Sequence, residues 1–569
     1  MYIDIVPNRH SPPAILLRES IRDGKKIRKR TLANLSSLSL EQAEAIRLIL
    51  KGQPVVPVEE AFQIEASHAH GHVRAVLEAM QRLQFRSLLA SRPSRQRDVV
   101  TALVVARILQ PNSKLATHRW WKRTTLPMEL GLGEVSDEEL YEALDWLLNR
   151  QARVEGKLAE RHLSAGGLVM YDLTSSYLEG QTCPLGARGY NRDGKKGKLQ
   201  INYGLLTDRQ GCPVSVSVFA GNVADSSTLL AQVETLRARF GIREVVLVGD
   251  RGMLTQTQIE VLKRHAGIDW IGALTSGAIH RLIQQGVVTV EQLVDQPLMT
   301  LTHPDYPGER LIACRNAALA KRRAHQRQAL LEATEQELAP IQAMVARGNL
   351  SGADQIGVRV GKVINRYKMA KHFQLTIEAE TFTFQRDETK IAAESALDGV
   401  YVVRTSLTRD RLEAEETVRS YKNLSRVERA FRSLKTLDLQ IRPIYHRLAD
   451  RVKAHILLCL LAYYVKWQLM EAWRPLLFAD ENSPEYPLHN PVAPAQRSAS
   501  AHQKIQSKQL PDSTEVHSFQ TLLDSLSTLT RNTCRRRTAG AAQEPTFTLD
   551  TQPDAEQQRA YDLLKEIRP

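Results

Sequence analysis

Hydrophobic and polar positions follow three rhythms along this chain. Residues 10–35 alternate with a period of two around Asp23-Gly24, the signature of a β-hairpin whose turn needs a positive φ. Residues 39–165 change to a helical period. Val73, Val76, Leu77 and Met80 recur three and four apart, as do Val99, Leu103 and Val104, and then Leu140, Leu144 and Leu147. Ser39, followed three residues later by Gln42, reads as a helix start. From about 167 strands take over. Residues 199–206 and 213–219 alternate apolar with small or polar residues, and Gln210-Gly211 supplies a turn between them. Helices at 228–240 and 254–265 then alternate with apolar runs at 244–249 and 268–274. Antiparallel strands followed by strand–helix alternation predict an α/β mixed sheet with flanking helices, behind a helical N-terminal region.

Beyond 278 the rhythm is interrupted. A long helical stretch at 317–339 reaches Pro340, which should break or kink it. A Gly-rich basic segment at 357–362 and short strands at 373–377 and 381–384 follow. The apolar run from Asp398 to Val403 returns to the sheet, and an apolar helix is expected at 450–473. The boundaries this predicts are a basic hairpin region at 1–60, a helical region at 61–165 that reads equally as DNA-binding or as a structural helical domain, and a first half of a core at 166–277. An insertion at 278–397 and a second half of the core at 398–475 follow. Residues 476–569, rich in Pro, Ser, Gln and Thr, are expected to be a weakly ordered tail with a terminal helix at 554–566.

Composition narrows the function. The 569 residues suggest about three or four domain-sized units. A net charge of +14 favours a polyanionic partner, nucleic acid above all. The run from Lys25 to Arg30 concentrates that charge, either as a phosphate-contacting ribbon or as a lysine-protected edge strand. Cys183, Cys212, Cys314, Cys459 and Cys534 are scattered without a Cys-x-x-Cys pair, which argues against structural zinc and suits a reducing compartment. No signal peptide is visible, and the apolar stretch 455–464 is about half a membrane span, so a cytoplasmic, nucleoid-associated protein is expected.

The candidate chemistry lies in three acids. Two apolar runs, at 168–172 and 245–250, each stop on a carboxylate, Asp172 and Asp250. Singly, each reads as a strand-end cap. A third acid, Glu428, lies in a helical stretch whose apolar stripe is Leu424, Val427, Phe431 and Leu434. An adjacent face carries Tyr421, Ser425, Glu428, Arg432 and Lys435. Arg419, Lys422, Arg426, Arg429, Arg432 and Lys435 outnumber the nearby acids, so a phosphate backbone is the better counterion. Two strand carboxylates and one helix carboxylate suit a pair of Mg²⁺ ions acting on phosphodiesters.

These features resemble DDE-type insertion-sequence transposases that carry a Tyr-x2-Arg-x3-Glu-x6-Lys signature. Tyr421, Glu428 and Lys435 match its spacing, while Leu424 stands at the Arg position and Arg426 is the nearest substitute. Further similar segments are 171–175, 189–193, 221–226, 249–253, 398–401 and 455–463. The resemblance implies an RNase H-like core, with Asp172, Asp250 and Glu428 as catalytic and metal-binding residues for two Mg²⁺ ions, Mn²⁺ substituting. It implies that Tyr421, Arg426, Arg432 and Lys435 bind DNA. Partners would be the terminal inverted repeats and target DNA, engaged by a homodimer. Some relatives stack a flipped base on a Trp in the insertion. This insertion has none, which leaves Tyr306, Tyr367 or Phe373 for that role. The alternatives are a catalytically silent DNA-binding protein and a stand-alone metal-dependent nuclease.

Overall fold

The computed structural model describes residues 1–9, 11–53, 55, 61–195, 197–480, 492, 497–536 and 546–569. Two compact units emerge. The smaller comprises Met1–Ala69 and Leu529–Gln552, and the larger His70–Thr528 and Pro553–Pro569.

In the smaller unit, strands β1 (Tyr2–Val6), β2 (Ala14–Asp23) and β3 (Lys26–Asn34) form an antiparallel sheet in that order. Gly24 takes φ +58° between β2 and β3, as the sequence requires of that turn. The additional strand β1 lies outside the expected hairpin. Helix Leu40–Leu50 begins in a complete Ser39/Gln42 capping box and packs Ala43 against Ile3 and Ile15. Strand β4 (Phe62–Ala69), within the stretch expected to be helical, pairs with Thr530–Arg536, which in turn pairs with Phe547–Asp550. Alternation over so short a run is easily lost beside the long helical pattern that follows.

The larger unit is built on one eight-stranded mixed sheet. Its first strands are β5 (Leu168–Tyr177), β6 (Gln200–Asp208), β7 (Pro213–Ala220), β8 (Val245–Val248) and β9 (Ile268–Ala273). β5, β6 and β7 pair antiparallel, whereas β8 joins the other side of β5 in parallel and β9 joins β8 in parallel. This order, β7-β6-β5-β8-β9, is the RNase H-like mixed core implied by the resemblance. β6 is buried at every position, so its side chains must interdigitate closely. Gly204 shows how closely: a Cβ there would lie 2.1 Å from the hydroxyl of Tyr171.

The sheet continues through β10 (Leu298–Leu301) and β11 (Arg310–Arg315), so the interruption begins at about 317 and not at 278. Helix Ala317–Ala346 continues past Pro340 without a break in its assignment. Proline removes one backbone donor, but Leu338, Ile341 and Val345 on either side of it are buried against Ile356, Val360 and Ile364 of helix Ala353–Tyr367. That second helix contains the Gly-rich basic segment. Strands β12 (Phe373–Ile377) and β13 (Phe382–Arg386) close the insertion as a hairpin. β14 (Val400–Thr405) then slots between β11 and β9.

Helix Ala449–Ala472 is buried on all sides, which explains its uninterrupted apolar run. Among the described residues no helix is long and apolar enough to cross a membrane. The expected weak order after 476 does not hold for the described part. Helices Ala499–Ser507, Phe519–Ser527 and Ala555–Leu564 form there, with Leu522, Leu523, Leu526, Tyr561 and Leu564 buried. Few apolar residues are needed when each falls on one helical face. The polar stretch at 481–491 and 493–496 lies outside the described residues.

Candidate active site

Strand pairing brings the two aspartates together. Met170 of β5 lies opposite Val248 of β8 in parallel register, so Asp172 on β5 and Asp250, just past the end of β8, each follow two residues later. Asp172 sits within β5, not at its exit, and its Oδ1 accepts the Leu173 N–H at 2.7 Å. Asp250 lies just beyond β8, where its Oδ1 accepts the Met253 N–H at 2.7 Å and steadies the turn.

Glu428 arrives on helix Leu424–Arg432, which follows helix Ala414–Lys422 after a break at Asn423. Leu424, Val427, Ala430 and Phe431 are buried, and Phe431 meets Tyr203 edge-on at 5.9 Å. Glu428 itself is exposed. The three carboxylates feel one another. Burial, then the charge of Asp250, push the Asp172 carboxyl up from 3.8 to about 7; Glu428 adds to this, and the Leu173 N–H and Arg192 oppose it. Tyr421 faces the same cluster: its hydroxyl is pushed up to about 12 by burial and by the charges of Asp250, Glu428 and Asp172.

Among the described residues no three acidic, imidazole or thiol groups are drawn together tightly enough to form a ready metal cage. The donor chemistry nonetheless suits a hard cation. The groups are carboxylates, and the half-buried Asp172 holds its negative charge reluctantly without one.

The cationic residues are distributed differently from the sequence pattern. An unbroken helix would place Lys435 on the Glu428 face. Instead the chain widens into a π-type turn at Ser433–Leu437, closed by Asp438 N–H to Ser433 O. Buried Lys466 ties this turn by donating to Ser433 Oγ at 3.1 Å and pairing with Asp438. Lys435 is thereby buried, and its Nζ donates to Asp193 Oδ1 at 3.1 Å. Arg442 pairs with the same oxygen, and Asp193 Oδ2 accepts the Tyr177 N–H at 3.1 Å. A cleft of ≈ 290 Å³ opens here, lined by Tyr177, Asp193, Lys195, Lys435, Thr436, Gln440 and Arg442. Arg426 turns to the β6–β7 connection, donating to Arg209 O at 3.1 Å beside Gly211. Arg432 is exposed.

Asp193, Arg442, Arg192 and Asp225 are functional candidates that spacing alone did not single out. Arg192 pairs with Asp225 and lowers the pKa of Asp172. These residues join two of the segments that carry the resemblance, 189–193 and 221–226, which touch so closely that a Cβ on Gly189 would meet Gly221 O at 2.1 Å. The aromatic candidates for base stacking are committed elsewhere. Tyr306 packs under the Arg404 guanidinium at 5.0 Å, Tyr367 donates to Glu337 at 2.6 Å, and Phe373 is buried.

A mixed sheet bearing neighbouring aspartates, with a glutamate helix packed across it, defines the DDE class of DNA transposases. Consistent with this, the sequence profile of the transposase DDE domain family matches residues 168–465, and the chain belongs to that family. Residues 3–55 match the N-terminal domain of IS1634 family transposases. No curated protein matches the chain. Among solved structures, the piggyBac transposase synaptic complex with hairpin DNA is similar at 8% identity, covering 80% of this chain and 77% of that one, with a TM-score of 0.34. The protein is thus an insertion-sequence DNA transposase, of a family that generally depends on divalent metal ions.

Proposed function

We propose that Asp172, Asp250 and Glu428 form the catalytic carboxylate set with which this chain cuts the ends of a mobile element and joins them to target DNA. The observation that carries the reading is the β5/β8 register, which sets Asp172 beside Asp250 while the charge of Glu428 reaches Asp172. These residues would hold two Mg²⁺ ions, with Mn²⁺ as a substitute. Bound there, the ions supply Lewis acidity to the scissile phosphodiester and to the attacking oxygen.

The chain's own contribution is positional. β5 carries Asp172, and the turn that leaves β8 carries Asp250. The apolar stripe of the Glu428 helix fixes the third carboxylate. Tyr421 offers a neutral hydroxyl, and exposed Arg432 a cation, to the DNA backbone. Asp193 gathers Lys435 and Arg442 at the neighbouring cleft. The reaction is hydrolysis of one strand to leave a 3′-OH, followed by transesterification of that 3′-OH onto a target phosphodiester. The DNA partners are the terminal inverted repeats and the target duplex. Coordinating both ends calls for a homodimer on DNA, in the cytoplasm at the nucleoid.

An Asp172→Ala protein tests this reading. It should bind end DNA with wild-type affinity and cut nothing in Mg²⁺. Normal cutting by the variant would remove Asp172 from the mechanism. A wild-type protein that binds but never cuts would leave a binding function only, and cutting without joining would leave a nuclease.

A further inference from the structure

One wall of the cleft beside the carboxylates is held under strain. After the π-type turn the chain runs as a strap from Leu439 to Ile444. Leu439, Ile441 and Ile444 are buried, whereas Gln440 is exposed and Arg442 half-buried, and these two line the cleft. Gln440 takes φ +42°, a left-handed conformation that residues other than glycine adopt uncommonly. Glycine would occupy that backbone without strain, so what the strain secures is an amide side chain at the cleft.

The carbonyls on either side of Gln440 are anchored from beneath. Buried Arg107 donates to Leu439 O at 3.4 Å and to Asn112 O at 2.9 Å. Buried His455 meets Ile441 O at 3.1 Å through Nε2. A carbonyl oxygen only accepts, so Nε2 carries the proton and Nδ1 accepts from Lys114 Nζ at 3.3 Å. Burial, then the charges of Lys114 and Arg107, push the imidazole well below 6.5 and keep it neutral. Past Arg442, the Ile444 N–H donates to Tyr177 O at 3.3 Å and Ile444 O accepts the Glu179 N–H at 3.0 Å, which ties the strap to the end of β5. His455 opens segment 455–463, to which the carboxylate chemistry gives no role.

The opposite wall is equally preset. Asn191 Oδ1 accepts the N–H groups of Asp193 at 2.8 Å and of Lys195 at 3.1 Å. The lining gathers Arg442, Lys435, Lys195 and the Gln440 amide around the single carboxylate of Asp193, an excess of positive charge that suits an anion. Arg192, next to Asp193, lowers the pKa of Asp172, so the cleft neighbours the catalytic carboxylates.

We propose that this cleft holds one backbone phosphate of the end DNA, flanking the scissile one, through Arg442, Gln440 and Lys195, with His455 and Arg107 as positioning residues that set the strap. This rests on the end-cutting role proposed above and adds where the strand beside the cut is gripped.

The test uses the full chain, a duplex from the flank of the coding region and a shuffled duplex of equal composition. Ethylation of single phosphates maps those whose neutralisation blocks wild-type binding to the flank duplex. Arg442→Ala should lose the block at one phosphate or two adjacent ones, keep it elsewhere, bind about tenfold more weakly and show a salt-dependence slope smaller by about 0.9. Gln440→Gly should unfold in no less urea than wild type and still weaken the block at that same position. His455→Leu should weaken it too, and His455→Gln, whose amide can still donate to Ile441 O, should retain it. The full wild-type pattern in Arg442→Ala would overturn the phosphate site while leaving end binding intact. Equal weakening at every phosphate in Gln440→Gly would overturn the assignment to one contact, and a folded His455→Leu protein with the wild-type pattern would remove His455 from positioning. Wild type that prefers neither duplex would overturn end binding as well.

Discussion

Asp172 stores the tension of the site in one carboxyl. Its native pKa of about 7 stands above the ordinary 3.8, so the folded protein binds more protons than the unfolded chain across that interval. Stability from this group is fully present below about 4, falls as pH rises towards 7, and stays low above it. Asp172→Asn should therefore raise the metal-free unfolding free energy at pH 8 by on the order of 2–4 kcal/mol, and change little at pH 4. Urea unfolding at the two pH values checks this, and equal effects at both would refute it. Asp193 matters through the cations it holds. It is 1% exposed and shared by Lys435 and Arg442, so Asp193→Ala strands two largely buried cations. A loss of about 3–5 kcal/mol is expected in the same measurement. Asp172 and Asp250 were legible because an apolar run that stops on a carboxylate needs a reason for the charge. The role of Asp193 was not, because its partner Lys435 lies 242 residues away and only the fold joins them.

At the scale of elements, the strands that hold the site were readable and the sheet's outer limits were not. β6, β7, β8 and β9 follow from alternation or from short apolar runs. β10 is only partly buried along its four residues, so its pattern carries little signal. β7, the opposite edge, is closed by a device invisible to periodicity. Helix Gln151–His162 covers it with Glu155, whose Oε1 accepts the Val216 N–H at 3.0 Å, while Gln151 donates to Val216 O at 2.9 Å. Glu155 is fully buried, its pKa raised by that burial, and Arg239 pairs with it at 2.7 Å. Glu155→Ala should leave a ladder donor and a cation without their partner, cost about 3 kcal/mol, and promote edge-to-edge association. Thermal unfolding with light scattering reads both effects, and a variant as stable and as monodisperse as wild type would contradict the edge-capping role.

At the scale of the whole chain, charge pointed to nucleic acid and the ordered motifs pointed to a transposase. The division into units was harder to read. The smaller unit closes only when residues from 530 onwards return to pair with β4, a contact between opposite ends of the sequence. Local pattern cannot express such pairing, and the polar composition after 476 concealed it. β10 and β11 belong to the sheet, although their stretch of sequence was expected to lie in an insertion beginning at 278.

The central claim is that Asp172, Asp250 and Glu428 act together on one divalent-cation site. Calorimetric titration of Mn²⁺ into the DNA-bound wild type, Asp172→Asn, Asp250→Asn and Glu428→Gln tests it most directly. Each substitution should weaken Mn²⁺ binding by at least about tenfold, as the loss of one charged oxygen ligand implies. Any one of the three variants binding Mn²⁺ as tightly as wild type would place that residue outside the site and contradict the account.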